Sequence, residues 1–150
     1  MRRWAAAVIS LLRPELPPGG RTFTSDLRVR IGASGLSTYP DGAVICGRTL
    51  RAGDDALAVV NPVLLVEVTS PSTEDYDRGE KLRHYKLLPS VREVLIVSHR
   101  EPRLTLHSRE GDDWKVLEAV AGQTLDLAAV PCRLAVDDLY RDGLEDAGPL

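Results

Sequence analysis

Glu67 is the residue whose setting points most directly to chemistry. It interrupts an apolar run over residues 63–68, and such a run predicts a central strand that is covered on both faces. An ionised carboxylate inside a buried strand is costly unless it is paired or binds a metal. A Glu that emerges at the strand end and pairs with Arg or Lys would account for it structurally. A metal-binding role requires a second acid nearby.

Asp41 is a candidate for that second acid, because it follows a Tyr-Pro turn and begins a strand predicted over residues 43–46. By itself, Pro-Asp-Gly is an ordinary turn sequence. On neighbouring strands, however, the carboxylates of Asp41 and Glu67 could hold a hard divalent cation such as Mg²⁺. Such an ion would keep positions free for water and a phosphate oxygen.

Lys81 lies on the helix predicted to follow the Glu67 strand. Most helix lysines are solvated, but one on a crossover helix can reach the end of the preceding strand. There its ammonium could orient a nucleophilic water or neutralise charge on a phosphoryl group. Asp77 is most simply the N-cap of this helix, and it could also support Lys81.

Apolar periodicity predicts the elements that must position these residues. Residues 23–31 alternate like one half-buried strand, and residues 47–61 resemble a loop. A helix over residues 78–88, capped by Asp77, precedes a buried strand over residues 94–97. That order predicts a crossover between parallel strands. The flanking elements are a packing helix within 1–16, a hairpin of 103–108 and 114–120, a short helix at 136–140 and a loose tail over 143–150.

Composition predicts one α/β domain over residues 1–150, with a formal net charge of −3. Any nucleic-acid surface must then be a local patch, since proteins held by phosphate contacts usually carry a basic excess. The two cysteines, Cys46 and Cys132, form neither a disulfide framework nor a zinc pattern, and the three histidines lack paired spacing. The tyrosines and tryptophans are too scattered to predict a base-stacking platform. No stretch is long enough to cross a bilayer, so we expect a soluble, cytoplasmic protein.

Four segments occur in an order that resembles a known family. They are Asp26-Leu27-Arg28-Val29, Tyr39-Pro40-Asp41, the stretch 66–73 (VEVTSPST) and the stretch 76–85, which begins YDRGEKL. Together they resemble the Uma-two family of restriction endonucleases in the PD-(D/E)xK superfamily. The resemblance covers most of the chain. It implies a restriction-endonuclease-like mixed β-sheet flanked by helices, with metal ligation by Asp41, Glu67 and the main-chain carbonyl of Val68.

Two features depart from the pattern. The superfamily places a lysine two residues after the acid, where this chain has Thr69. The resemblance instead places the working lysine at Lys81, with Asp77 and Tyr85 supporting the site from outside the set of metal ligands. Relatives also begin earlier, with a strand or hairpin and a helix that carry another acidic residue, whereas this chain starts inside that helix.

This short amino terminus leads us to expect an open sheet edge or an uncovered apolar face. Trp4, Val8, Leu11 and Leu12 form a helix stripe with few companions in so short a chain. We therefore predict a homodimer with the 1–16 helix or the adjacent sheet edge in the interface.

The sequence thus predicts an endonuclease-like phosphodiesterase that uses Mg²⁺ or Mn²⁺ and acts on nucleic acid, with DNA as the expected substrate. The catalytic residues would be Asp41, Glu67 and Lys81. The alternative is a catalytically incomplete nuclease-fold protein that serves as a binding or oligomerisation module, which the acidic charge favours. A plain α/β domain whose acids form structural ion pairs is a third interpretation. Convergence of the three side chains on one cavity would discriminate between them.

Overall fold

The computed structural model describes the backbone of residues 2–145 and the side chains of residues 3–141. The helices of this part of the chain are α1 (Arg2–Leu12), α2 (Glu74–Arg78), α3 (Glu80–Tyr85) and α4 (Val136–Glu145), with a 3₁₀ turn at Arg13–Glu15. The strands are β1 (Gly20–Phe23), β2 (Val29–Ile31), β3 (Leu36–Thr38), β4 (Gly42–Cys46), β5 (Arg51–Ala52), β6 (Asp55–Val59), β7 (Leu64–Val68), β8 (Glu93–Val97), β9 (Arg103–Glu110), β10 (Asp113–Val120), β11 (Thr124–Leu127) and β12 (Cys132–Ala135).

A mixed six-stranded sheet in the order β1-β4-β7-β8-β9-β10 forms the centre of the fold. The β7 and β8 strands are parallel and are joined through α2 and α3, so the predicted crossover is confirmed. The other pairs are antiparallel, including the predicted hairpin of β9 and β10. Gly42 of β4 is opposite Val66 of β7. Asp41, one residue before Gly42, therefore lies beside the end of the strand that carries Glu67.

Two apolar layers cover the large sheet. One face packs against α1, α4 and the β11–β12 hairpin. The other face packs against α3 and the four-stranded sheet β3-β2-β6-β5. All five residues of β7 are buried, as predicted for a central strand with both faces covered.

The first helix packs within its own chain. Val8 and Leu12 are fully buried in the core shared with α4 and β7, and Leu11 is partly buried there. The Trp4 ring lies 5.6 Å from the Tyr140 ring, centroid to centroid. The helix stripe therefore does not need a second subunit, and this part of the argument for a homodimer was wrong. None of the described helices combines the length and apolarity needed to cross a bilayer.

The alternating residues 23–31 form two strands in different sheets, not the single strand predicted. The large sheet holds β1, which ends at Phe23, whereas β2 begins at Val29 in the small sheet. A turn separates them, in which the Leu27 N–H donates to the Thr24 carbonyl at 3.3 Å. The alternation stays in phase across this turn, so periodicity alone does not reveal the break at the turn-forming residues Ser25 and Asp26.

The small sheet also corrects the predicted loop over residues 47–61, because β5 and β6 pair there around a turn at Gly53-Asp54. The patterns likewise do not predict β3, β11 or β12. Each of these strands is only three or four residues long. So few residues give almost no period-two signal.

The predicted helix over residues 78–88 is two short helices, α2 and α3, separated by Gly79. This glycine has φ −119° and ψ −89°, outside the helical region, so the axis changes direction there. Asp77 consequently lies inside α2 and is not an N-cap. At the other end of the chain, α4 runs to Glu145, so the tail predicted from Gly143 is wrong for residues 143–145. Residues 146–150 lie outside the described residues.

Candidate active site

Glu67 points toward the α3 layer, because neighbouring strand residues alternate between faces. Val66 and Val68 belong to the core on the α1 side, whereas Leu65 belongs to the core on the α3 side. Glu67 shares that second face and is only 4% exposed. A carboxylate at this depth requires partners.

Lys81 and Tyr85 of α3 are those partners. They are four residues apart and therefore lie on the same face of the helix. The Lys81 Nζ lies 2.9 Å from Glu67 Oε1, and the Tyr85 hydroxyl donates a hydrogen bond to the same oxygen. Tyr85 is fully buried, so its ring fixes the approach of the hydroxyl. The α3 helix thus brings the ammonium of Lys81 to the end of β7, although the position two residues after Glu67, where the superfamily has its lysine, is Thr69.

Asp41 is fixed by the backbone of the strand beside it. Its Oδ2 accepts a hydrogen bond of 2.7 Å from the Val68 N–H. This contact ties the turn before β4 to the last residue of β7. It also orients the Asp41 carboxylate toward the strand end where Glu67 and the Val68 carbonyl lie.

Asp77 approaches the same lysine from the preceding turn of α2. Its Oδ1 lies 3.9 Å from Lys81 Nζ, and its Oδ2 accepts a hydrogen bond of 3.0 Å from the Thr73 hydroxyl. Only 4% of Asp77 is exposed. Asp77 therefore supports Lys81 through a long ion pair, while its predicted role as a helix cap is replaced by a position inside the helix.

These side chains surround one open cleft of about 230 Å³. Its lining comprises Tyr39, Asp41, Glu67, Val68, Ser70, Thr73, Asp77 and Lys81. The structure thus brings Asp41, Glu67 and Lys81 together on one cavity, and this convergence distinguishes a shared site from isolated structural ion pairs. Sequence reasoning missed Tyr39, Ser70 and Thr73 as lining residues, although all three lie inside the segments that carry the family resemblance.

The cleft contains more negative than positive groups. Burial raises the pKa of the Glu67 carboxyl to about 7, and the Asp41 charge adds to this effect, while Lys81 and Tyr85 oppose it. Burial also raises the pKa of Asp77, against the hydrogen bond from Thr73. Tyr85 holds its proton, because burial and the neighbouring Glu67 raise its pKa well above the ordinary value. A cation in the cleft would therefore favour ionised carboxylates.

The available oxygens fit a hard divalent cation. In the described part of the chain, the hydrogen bonds and ion pairs engage Oδ2 of Asp41 and Oε1 of Glu67, which leaves the second oxygen of each carboxylate free. Oxygen is the donor that Mg²⁺ and Mn²⁺ prefer. Among the described residues, no three His, Cys, Asp or Glu side chains form a ligand cluster. A main-chain carbonyl, as at Val68, and waters would have to complete the coordination.

The histidines and cysteines lie outside this cleft lining. His99 Nδ1 is 2.7 Å from the Thr69 hydroxyl, and His84 Nδ1 is 2.7 Å from the Ser34 hydroxyl. Burial lowers the pKa of His107 to about 4, so this side chain is neutral. Cys46 and Cys132 are free and half-buried, which confirms that they form no disulfide framework.

The fold and the cleft define a protein of the restriction-endonuclease-like class. The Uma2 family model, described as "Putative restriction endonuclease", matches residues 2–137, so the chain belongs to this family. The crystal structure described as a "putative nuclease belonging to DUF820" from Anabaena variabilis ATCC 29413 has the same fold. It superposes with a TM-score of 0.68 at 17% identity, over 95% of this chain and 82% of the other.

Two relatives come from Synechocystis sp. (strain ATCC 27184 / PCC 6803 / Kazusa). "Uncharacterized protein slr1290" is 37% identical over 118 residues, which cover 78% of this chain and 61% of the relative. "Uncharacterized protein sll1609" is 30% identical over 105 residues, covering 70% of this chain and 59% of the relative. The chain therefore spans about six tenths of the length of these relatives.

Proposed function

We propose that this protein is a divalent-metal-dependent endonuclease that hydrolyses phosphodiesters in nucleic acid, with DNA as its substrate. The observation that carries the proposal is the convergence of Asp41, Glu67 and Lys81 on one cleft. Two carboxylates with free oxygens beside an ammonium provide both a place for a cation and a donor for a phosphate oxygen.

The metal would be held by Asp41, Glu67 and the main-chain carbonyl of Val68, completed by water. When bound, Mg²⁺ or Mn²⁺ supplies a Lewis acid that polarises a phosphate oxygen and makes a water molecule more acidic. The hydrogen bond from the Val68 N–H orients the carboxylate of Asp41 for this purpose. The Tyr85 hydroxyl does the same for Glu67 by occupying one of its two oxygens.

Lys81 is the residue that would act on the substrate. Its Nζ is within 2.9 Å of Glu67 and retains donors for a third partner, because an ammonium has three N–H groups. In the cleft it would orient the attacking water or donate to a non-bridging phosphate oxygen as negative charge builds up there. Asp77, 3.9 Å away, would help to hold the ammonium of Lys81 in place. Water would attack phosphorus in line while the opposite P–O bond breaks. The attacking water would release its proton to solvent, and the leaving oxygen would take up a proton from solvent.

Cleavage assays with matched variants test the proposal. The purified chain is incubated with labelled DNA and Mg²⁺ or Mn²⁺, alongside Asp41→Asn and Lys81→Met. The matched controls are Asp126→Asn and Lys115→Met, exposed residues away from the cleft. We expect metal-dependent cleavage by the wild type and both controls and none by the two cleft variants. Cleavage that survives Asp41→Asn and Lys81→Met would assign the activity to a contaminant and contradict the proposal.

The alternative, a catalytically incomplete module, is discriminated by the same experiment. Its distinctive result is a wild type that is folded, as thermal melts show, yet cleaves no DNA over hours at saturating Mg²⁺ or Mn²⁺. The formal charge of −3 favours this alternative, since it weakens contacts to phosphate. The complete set of Asp41, Glu67 and Lys81 favours the enzyme, because a binding module does not need three charged groups that converge at one strand end.

We also propose that the protein is a cytoplasmic homodimer. Because the apolar stripe of α1 is buried within its own chain, the interface would lie at the edge of the large sheet. Among the described residues, β1 is a terminal strand of the large sheet and pairs on one side only, with β4. An open strand edge presents N–H and C=O groups that a second copy can pair. A two-fold arrangement through β1 would present two clefts to one nucleic acid.

A further inference from the structure

Tyr39 is the exposed aromatic residue of the cleft. In the described part of the chain, six large apolar side chains are exposed, and Tyr39 alone among them lines the cleft with Asp41 and Lys81. It is 50% exposed. An aromatic ring half open to solvent beside a phosphodiester-binding site offers a flat apolar surface next to the charged groups.

Three neighbours hold this ring in place. The Arg28 Nε donates to the Tyr39 hydroxyl at 3.0 Å, and its guanidinium lies 6.0 Å from the ring centroid. Arg28 is itself fixed by Asp55, whose Oδ2 is 2.6 Å from its Nη1. The buried Pro40 follows and restricts the backbone of Tyr39 to extended conformations. A ring that is already positioned loses little conformational entropy when a ligand stacks on it.

This arrangement also gives the small sheet a function. Arg28 immediately precedes β2, Tyr39 immediately follows β3, and Asp55 is the first residue of β6. All three strands belong to the four-stranded sheet, which contributes no charged ligand to the cleft. The sheet therefore acts as the support for Tyr39.

The chemistry of the cleft indicates what would stack on this ring. Its charged groups are three carboxylates and one ammonium, and the chain is acidic overall, so many phosphate contacts along a duplex backbone are not available. Stacking of a base on an aromatic ring is insensitive to charge and to sequence. It requires an exposed base face, and bases inside an intact duplex have both faces covered by their neighbours.

We propose that Tyr39 is a base-stacking residue, and that the site acts on unpaired DNA, a single strand or a frayed end, and not on the interior of an intact duplex. This inference rests on the proposed nuclease function and specifies its substrate. The nucleotide next to the scissile phosphate would place its base on Tyr39 while the phosphate lies beside Lys81.

Cleavage rates on matched substrates test the stacking. The wild type is compared with Tyr39→Leu, Tyr39→Phe and Tyr76→Leu on a single-stranded oligonucleotide and on the same sequence in duplex form. Tyr76 is the control because it is 42% exposed but does not line the cleft. We expect kcat/KM on the single strand to fall roughly 10- to 100-fold in Tyr39→Leu and to stay within about twofold in Tyr76→Leu. Tyr39→Phe should fall less than Tyr39→Leu, because it keeps the stacking ring and loses only the hydrogen bond from Arg28. Equal rates for Tyr39→Leu and wild type, or faster cleavage inside the duplex, would overturn the inference.

A binding measurement separates this inference from the nuclease proposal. Single-stranded DNA carrying 2-aminopurine is titrated into Lys81→Met and into Lys81→Met/Tyr39→Leu, and thermal melts confirm that both are folded. Quenching of the 2-aminopurine fluorescence that is lost in Lys81→Met/Tyr39→Leu supports stacking. If this quenching is observed and the wild type cleaves nothing, only the nuclease proposal fails. Cleavage by the wild type together with quenching that survives Tyr39→Leu refutes the stacking alone. Absence of any binding overturns the inference as well.

Discussion

Lys81 and Glu67 form an ion pair in which Nζ lies 2.9 Å from Oε1, with only 12% and 5% of the two side chains exposed. Such pairs rarely add net stability, because the cost of removing both charges from water offsets their attraction. This pair also borders a cleft that contains Asp41 and Asp77. Its position is therefore better explained by what it can do in the cleft than by what it contributes to folding.

Removing the ammonium should abolish activity and make stability more dependent on pH. In Lys81→Met the Glu67 carboxyl loses the partner that lowers its pKa, so it stays protonated to higher pH than in the wild type. We expect cleavage to fall at least about 100-fold. The loss of stability should be small at about pH 5.5 and larger at about pH 8.5, where the buried Glu67 must either keep its proton against the higher pH or ionise without a partner. Chemical denaturation at both pH values measures this loss of stability, with Lys115→Met as the control. An equal loss of stability at both pH values would show that Lys81 is not the partner that lowers the pKa of Glu67.

The raised pKa of Glu67 gives the wild type its own pH dependence. The carboxyl titrates at about 7 in the folded protein and near 4.5 when unfolded. Between these values the folded state binds more protons, so this group's contribution to the free energy of unfolding decreases as pH rises from about 4.5 through about 7. Above that range the contribution is constant. Urea denaturation of the wild type and Glu67→Gln across this range checks the prediction, because the substitution should remove this part of the slope. Parallel curves for the two proteins would show that Glu67 does not titrate in this way.

Divalent metal should stabilise the folded chain, most clearly above pH 7. Metal binding requires the carboxylates to be ionised, and it binds the folded state preferentially. We expect Mg²⁺ or Mn²⁺ to raise the thermal midpoint at about pH 8 and Asp41→Asn to abolish the shift. Asp126→Asn, which alters an exposed carboxylate with 71% of its side chain accessible, should retain it. An identical midpoint with and without saturating metal would argue against a preformed site.

Tyr85 should affect the site through Glu67 without touching the substrate. Tyr85→Phe removes the hydroxyl that donates to Glu67, so the pKa of Glu67 should rise further and stability should fall by about 1–2 kcal/mol. Tyr140→Phe is the matched control, because the Tyr140 hydroxyl donates to the Ser98 carbonyl at 2.6 Å and lies outside the cleft lining. Both variants should lose stability. Only Tyr85→Phe should shift the pH profile of cleavage, and equal profiles would remove Tyr85 from the site.

The site was predictable from the sequence to the extent that it depends on the large sheet. A lone acid in a continuous apolar strand predicted a buried carboxylate, and Glu67 is 4% exposed. The crossover order predicted parallel β7 and β8, which the structure confirms. The small sheet was not predictable from periodicity, because its strands are only two to five residues long and β2 continues the alternation of β1. Tyr39 was therefore missed as a cleft residue, since periodicity does not show the β3 strand that it follows.

The division of one predicted helix into α2 and α3 has the same kind of cause. The spacing of apolar residues does not report the backbone angles of Gly79, which end α2. Asp77 was assigned as an N-cap because its side chain type favours that position. In the structure Thr73 precedes α2, and Asp77 is turned inward to accept the Thr73 hydroxyl and approach Lys81. Local propensity identified the residue, while tertiary packing determined its role.

Dimer formation should depend on the free edge of β1. Light scattering at micromolar concentration should give twice the mass of the chain if a second copy pairs with Gly20–Phe23. Arg21→Pro and Thr22→Pro provide a matched test, because the N–H groups of successive strand residues point to opposite edges. One substitution should break a hydrogen bond to β4 and lower the thermal midpoint. The other should leave the fold intact and convert the dimer to a monomer. A wild-type monomer over the whole concentration range, or a dimer that persists in both variants, would show that β1 is not the interface.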